Sequence, residues 1–274
     1  MFSRTGIATA FALAGMLAMS GAAISSGTAT GAADRAVSRS LAALITQPEG
    51  PPGAYVLVNR NGHVRGFSAG RARVGGADVP GSGRHMRIAS LTKAFTAATA
   101  YSLVADGRLS LDSTVGEVLP SQPAAWHAVT LRQLLNHTGG IPDFARSPEF
   151  GASVRASPRT PPPPATLVGY VAGEPLDFAP GSRFQYTNSG PILVGLIIEA
   201  VTGQPYGTEL GARVLGPMAL RTTALPATAA VPTPTLRGYA WSDGTSVRMP
   251  RSASDRATVA PDHPAPTMAT DGIP

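Results

Sequence analysis

Between Ala89 and Ala105 small, apolar and hydroxyl side chains follow one another, with Lys93 as the one charged position. Leu91, Phe95, Ala98, Tyr101 and Val104 return at the three- and four-residue spacing of a helical face. With so little polarity on the opposite face, the pattern predicts a helix buried all round. Asp106-Gly107 ends it, with glycine just past the last turn. Upstream, Asp34 is placed to cap a helix whose apolar face is Val37, Leu41, Leu44 and Ile45, and Pro48, Pro51 and Pro52 stop that helix. Ala54–Arg60 is rich in β-formers, Asn61-Gly62 is a hairpin turn, and His63–Ala69 is the returning strand. Residues 70–86, with several glycines, read as a loop.

Downstream the spacing turns helical. Thr130-Leu131-Arg132-Gln133 is a capping box opening a short helix, Leu131 to Asn136, which stops at Gly139-Gly140. Residues 147–164 hold six prolines, four of them consecutive (Pro161–Pro164), and are predicted to be an extended surface loop. Thr166–Ala172 suits a short helix, and Pro180-Gly181 a turn. Ile192–Val201 is an apolar helix with Pro191 at its start and Gly203 after its end, and a weaker helix covers Thr208–Leu215. Beyond Leu225 the periodicity fades. Residues 226–274 carry eight prolines and no sustained period, and Arg251 to Pro274 reads as disordered.

This organisation divides the chain into an export signal at 1–33, a folded region at 34–225 and an irregular tail at 226–274. The folded region comprises an N-terminal helix and hairpin (34–88) and a helical part (89–225). The signal reading rests on Arg4, the apolar stretch Ile7 to Met19 and the small residues that follow it. Cleavage after Ala22 or after Ala33 fits, and the apolar run is short for a membrane span. The expected location is secreted or periplasmic, with a retained N-terminal anchor as the alternative.

Composition removes several function classes. The absence of cysteine excludes disulfides, zinc-thiolate sites and cysteine nucleophiles. The formal charge of +6 comes from arginines scattered singly, so it carries no nucleic-acid footprint. The five histidines show no i, i+4 pairing and no carboxylate cluster beside them, so no metal and no cofactor is expected.

What remains is a nucleophile. Of the 22 basic residues only Lys93 is lysine, and it stands three residues after Ser90. Arginine keeps its proton at any physiological pH, whereas a lysine can release one. Burial and the positive end of a helix both disfavour the ammonium form, so the Lys93 pKa is expected to fall. From position i+3 its amine can then take the Ser90 proton. Read alone, the four residues also suit a capping serine followed by a solvated lysine. Tyr186-Thr187-Asn188, on a loop before the Ile192 helix, offers a proton-exchanging phenol and an amide with both donor and acceptor. A competing nucleophile, Ser68 in Gly66-Phe67-Ser68-Ala69-Gly70, fits the G-x-S-x-G elbow, but that motif needs a strand, a sharp turn and a helix. Here the pentapeptide is itself the returning hairpin strand.

Ser90-Leu91-Thr92-Lys93, the stretch Leu134 to Ile141 and Phe184 to Gly190 together resemble, in order and spacing, the serine β-lactamase and D-Ala-D-Ala carboxypeptidase family. The Tyr-x-Asn form is similar to the class C and carboxypeptidase/esterase branch. The resemblance spans roughly Val37 to Leu225. It implies an α/β (α+β) fold, an antiparallel sheet with flanking helices plus an all-helical domain, with Ser90 at their junction. It implies that Ser90 forms an acyl-enzyme, Lys93 is its proton partner, Tyr186 shuttles protons and Asn188 holds the substrate amide. The Ser90 N–H would be half of an oxyanion hole, and His137 would be structural. Substrates implied are a D-Ala-D-Ala-like peptide, a β-lactam or an ester. The family's third motif, Lys-Thr-Gly or His-x-Gly, has no counterpart after Asn188, where the last histidine, His263, is followed by Pro264-Ala265. The expectation is therefore that the 54–69 hairpin lacks sheet partners and that activity is weak. The alternative function is an inactive homologue or a module binding peptidoglycan peptides.

Overall fold

A computed structural model describes residues 26–157, 160, 162–226, 230–236, 238–242 and 246–248. The first helix, α1 (Ser26–Thr46), is followed by β1 (Gly53–Arg60) and β2 (His63–Gly70). A 3-10 turn, Ala89–Leu91, leads into α2 (Thr92–Ala105). Then come α3 (Val115–Val118), α4 (Leu131–Leu135), α5 (Pro148–Ala156), α6 (Pro164–Gly169), α7 (Ser189–Thr202) and α8 (Tyr206–Leu210). Two further 3-10 turns (Ala124–Trp126 and Phe144–Arg146), a π-helical turn at Gly211–Leu215 and two short strands, β3 (Ala240–Ser242) and β4 (Ser246–Arg248), complete the described elements.

The core lies among the helices. α7 packs against α2, α3, α4, α6 and α8. Its Leu193, Val194, Ile197 and Ile198 are fully buried with Leu103, Leu131, Leu134, Leu167 and Leu210 from the surrounding helices and Trp126 from a connecting turn. Burying such a set removes a large apolar area from water, at roughly 25 cal/mol per Å². Gly203, at φ 69°, ends α7 in the left-handed region and donates its N–H to Glu199 O at 2.8 Å. Thr130 and Gln133 form the reciprocal capping box that opens α4, as expected.

β1 and β2 pair antiparallel in the register Gly53 to Gly70 through Arg60 to His63. Asn61 (φ 52°) and Gly62 (φ 82°) make the tight turn between them. Among the described residues this hairpin is a two-stranded sheet, and β3 and β4 form a separate one. Leu57 and Val64 stand 54% and 61% exposed, so this sheet contributes little to the core.

Four expectations are corrected. Asp34 does not cap α1, which begins at Ser26; it lies within the helix and forms an ion pair with Arg65 of β2. The 147–164 stretch is not a continuous loop, because Ser147 caps α5 through Phe150 N, with Pro148 at the first helical position and Glu149 in the first turn. The residues beyond Leu225 are not uniformly irregular: besides β3 and β4, His85 bridges to Thr235 and Val74 N donates to the Tyr239 hydroxyl at 2.7 Å. Arg251 to Pro274 lies outside the described residues.

The fourth correction concerns α2. Its buried face is Thr92, Thr96, Thr99, Ala100 and Leu103, while Leu91 just before it and Tyr101 are 67% and 50% exposed. Threonine can face a core when its hydroxyl bonds the carbonyl one turn back. Thr96 and Thr99 do this with Thr92 O (3.3 Å) and Phe95 O (2.9 Å). The helix is therefore buried on one side, and that side is not the one with the regular apolar spacing.

Candidate active site

Ser90 sits in the 3-10 turn immediately before α2, with Ala89 held at φ 46°. A non-glycine residue in the left-handed region costs of order 1 kcal/mol and persists only where the surroundings enforce it. Here it lies beside the candidate nucleophile. Lys93, in the first turn of α2, points its Nζ at Ser90 Oγ (3.3 Å) and at Asn188 Oδ1 (2.9 Å). The Tyr186 hydroxyl is 2.7 Å from Ser90 Oγ, and Lys93 Nζ lies 4.7 Å from the centre of the Tyr186 ring. Side chains from two distant stretches of the chain, Ser90 with Lys93 and Tyr186 with Asn188, thus meet around one hydroxyl.

Two adjacent segments bring Tyr186 and Asn188 there. Gln185 N donates to His137 O at 2.9 Å, Gly181 N to Thr138 O at 2.8 Å, and Asp177 N to Gly140 O at 2.8 Å. Gly140, at φ 76°, is a position where a Cβ would collide with Phe178 O, so only glycine allows this approach. The two segments lie side by side because of it.

The His137 ring packs against Tyr186 at 4.8 Å between centroids and meets Phe184 edge-on at 5.9 Å. Its Nδ1 accepts from Thr187 N at 3.4 Å, which leaves the ring proton on Nε2. Burial holds the imidazole below its ordinary pKa, the Lys93 charge lowers it further, and Asp143 opposes them. His137 is thus part of the wall that orients Tyr186.

Asp143 carries no sequence motif, yet it anchors the site. This buried carboxylate accepts from Asn188 N (3.2 Å), from Asn188 Nδ2 (3.3 Å to Oδ1, 3.1 Å to Oδ2) and from Ala145 N (3.1 Å). The available signal was an acid between apolar neighbours, Ile141-Pro142-Asp143-Phe144, of which Ile141 and Phe144 are core residues. Ser189 secures the same corner by donating to Pro142 O (2.5 Å) and accepting from Phe144 N (3.0 Å).

Ser68, the rival nucleophile, lies within β2 and donates to Pro80 O at 2.6 Å, and the next helical element begins only at Ala89. Among the described residues no group of three or more His, Cys, Asp or Glu side chains is placed to hold a metal ion, and no helix is long and apolar enough to cross a membrane.

Comparison with known proteins places this chain in a family. Residues 41–270 match the Beta-lactamase family model. Protein flp of Staphylococcus aureus (strain MW2) is 31% identical over 179 residues, covering 63% of this chain and 34% of that protein. The chain thus spans about a third of the length of the curated relatives it matches. Among solved structures, the D-stereospecific amidohydrolase from Streptomyces sp. superposes with a TM-score of 0.69 at 31% identity, over 78% of this chain and 64% of the other. The D-amino acid amidase from Ochrobactrum anthropi SV3, complexed with L-phenylalanine, gives 0.66 at 26% identity, over 77% and 56%. On the sequence match and on the fold, the chain belongs to the Beta-lactamase family.

Proposed function

We propose that the chain is a serine hydrolase that transfers an acyl group through Ser90 from a D-amino-acid amide, D-Ala-D-Ala-like peptide, β-lactam or ester to water. The observation that carries this reading is the Ser90 hydroxyl within hydrogen-bonding distance of both the Tyr186 hydroxyl and the Lys93 amine. In acylation Ser90 Oγ attacks the carbonyl carbon and hands its proton to this pair, while the Ser90 backbone N–H faces the developing oxyanion. Collapse breaks the carbonyl–nitrogen bond of an amide or β-lactam, or the carbonyl–oxygen bond of an ester, and the leaving amine or alcohol takes a proton back from the same pair. Water then attacks the acyl ester by the reverse sequence of proton transfers. Asn188 accepts from Lys93 through Oδ1, and the remaining lone pair of that oxygen is what it offers a substrate amide.

The D-amino-acid preference is supported by the two structural neighbours, a D-stereospecific amidohydrolase and a D-amino acid amidase, and the β-lactam and cell-wall-peptide readings by the family. A second reading, reversible binding of cell-wall peptides, is the competitor. Stopped-flow kinetics with a chromogenic ester and a chromogenic β-lactam separate the two. The expected result is a burst of about one equivalent that Ser90→Ala abolishes; competitive binding with no burst overturns the hydrolase reading.

Export is part of the same proposal. Cleavage after Ala22 leaves α1 whole, whereas cleavage after Ala33 removes its first two turns. Secretion with a mature N-terminus at Ala23 is the expected outcome on expression with the signal intact. Retention of residues 1–22 on a cytoplasmic product overturns it.

A further inference from the structure

Asp143 and Asn188 fix which way the lysine is held. An ionised carboxylate only accepts hydrogen bonds, so the amide group facing it presents its nitrogen. Asn188 Nδ2 lies 3.3 and 3.1 Å from the two Asp143 oxygens. The opposite end of the same amide, Oδ1, is thereby turned to Lys93 Nζ at 2.9 Å. Lys93 Nζ in turn reaches Ser90 Oγ at 3.3 Å. The line carboxylate, amide, amine, hydroxyl has one orientation at each step, and Asp143 sets it. Asp143 is also tied down itself, by the N–H groups of Ala145 and Asn188.

We propose that Asp143 is a positioning residue for the nucleophile: by holding the Asn188 side chain in one flip state, it gives Lys93 an acceptor and keeps the amine directed at Ser90. The inference rests on the acyl-transfer reading above. It also makes the Asn188 amide a structural relay, with its nitrogen committed to Asp143. Replacing the carboxylate by the isosteric amide reverses the logic. In Asp143→Asn, the Oδ1 atom still accepts from Ala145 and Asn188 N–H, so the local turn survives. Its new Nδ2 group, however, opposes the Asn188 NH2. The Asn188 amide relieves the conflict by flipping, and then presents its N–H donors where Lys93 Nζ also donates, so the lysine loses its acceptor. Moving the carboxylate one link along, in Asp143→Asn with Asn188→Asp, restores an acceptor for Lys93 and a partner for the amide introduced at position 143.

Two readouts test this on the full chain. The first is the rate of Ser90 acylation by a fluorescent penicillin. The expectation is a loss of about 100-fold in Asp143→Asn, the scale of a misdirected catalytic group, with recovery of at least about tenfold in the double variant and melting temperatures within a few degrees of wild type. Acylation of Asp143→Asn at the wild-type rate overturns the proposal, and so does a double variant no faster than the single one. The second readout needs no catalysis. Lys93 is the chain's only lysine, so [13Cε]lysine labelling gives one side-chain resonance. That resonance is expected to move toward the free-lysine position in Asp143→Asn and to return in the double variant; a resonance unmoved by Asp143→Asn overturns the proposal. If wild type fails to acylate while the resonance behaves as expected, the acyl-transfer reading fails and the positioning role of Asp143 stands.

Discussion

His137 is the residue through which acid reaches the site. Folding lowers its pKa because burial and the Lys93 charge disfavour the imidazolium, with Asp143 opposing them. The groups facing it are Lys93, Asp143, Tyr186, Phe184 and the Thr187 N–H. A group with a depressed folded pKa binds fewer protons in the native state than in the unfolded one, so stability falls as pH falls. The loss begins near the ordinary value of about 6.5 and levels off below the folded value, at no more than about 1.4 kcal/mol per pH unit. Urea midpoints between about pH 7.5 and 5, a window that brackets the ordinary histidine value, are expected to drop more for wild type than for His137→Gln, which cannot charge. Equal slopes in the two proteins would remove His137 from the account. Lys93→Arg tests the amine at the same scale. Arginine keeps the charge but not the ability to exchange a proton, so Ser90 acylation is expected to fall by about 10² or more, the scale of lost general acid–base help.

At the scale of elements, motifs with a local mechanism were readable in advance. The Thr130 capping box, the Asn61-Gly62 turn and the Gly203 terminus need only neighbours within a few positions. Thr130→Ala is expected to cost about 1 kcal/mol in urea unfolding, the worth of a helix cap. Gly140→Ala is expected to cost more and to slow acylation as well, because its Cβ would strike Phe178 O and part the two segments that carry His137 and Tyr186. The α5 helix was hidden by counting prolines. Pro148 starts the helix and Pro161 to Pro164 follow it, so the same residue type marked both ends of an element. The structure brings together Ser90, Lys93, Tyr186 and Asn188, each singled out through a motif, whereas Asp143 stands in none and its partner lies 45 positions away.

Among the described residues of the whole molecule, the core and the candidate site both belong to the helical region. The buried set centres on α7, and its apolar run was plain in the sequence. The orientation of α2 was not, since an almost uncharged helix offers several faces and only its packing partners choose between them. Thr96, facing the Tyr206 hydroxyl at 3.0 Å, shows that the choice went to a threonine face. Leu193→Ala in α7 is therefore expected to cost about 2–5 kcal/mol. Leu57→Ser on the hairpin is expected to stay within about 0.5 kcal/mol, as for a surface site. A hairpin substitution as costly as the α7 one would place part of the core in the hairpin, against this assignment.

The claim on which the rest depends is that Ser90 is acylated with the help of Lys93. Intact-mass and peptide mass spectrometry of the full chain after exposure to a penicillin measures it directly. A single adduct on the peptide containing Ser90 is expected in wild type, little of it in Lys93→Arg, and none in Ser90→Ala. An adduct that persists in Ser90→Ala, or one that forms equally fast in Lys93→Arg, would contradict it.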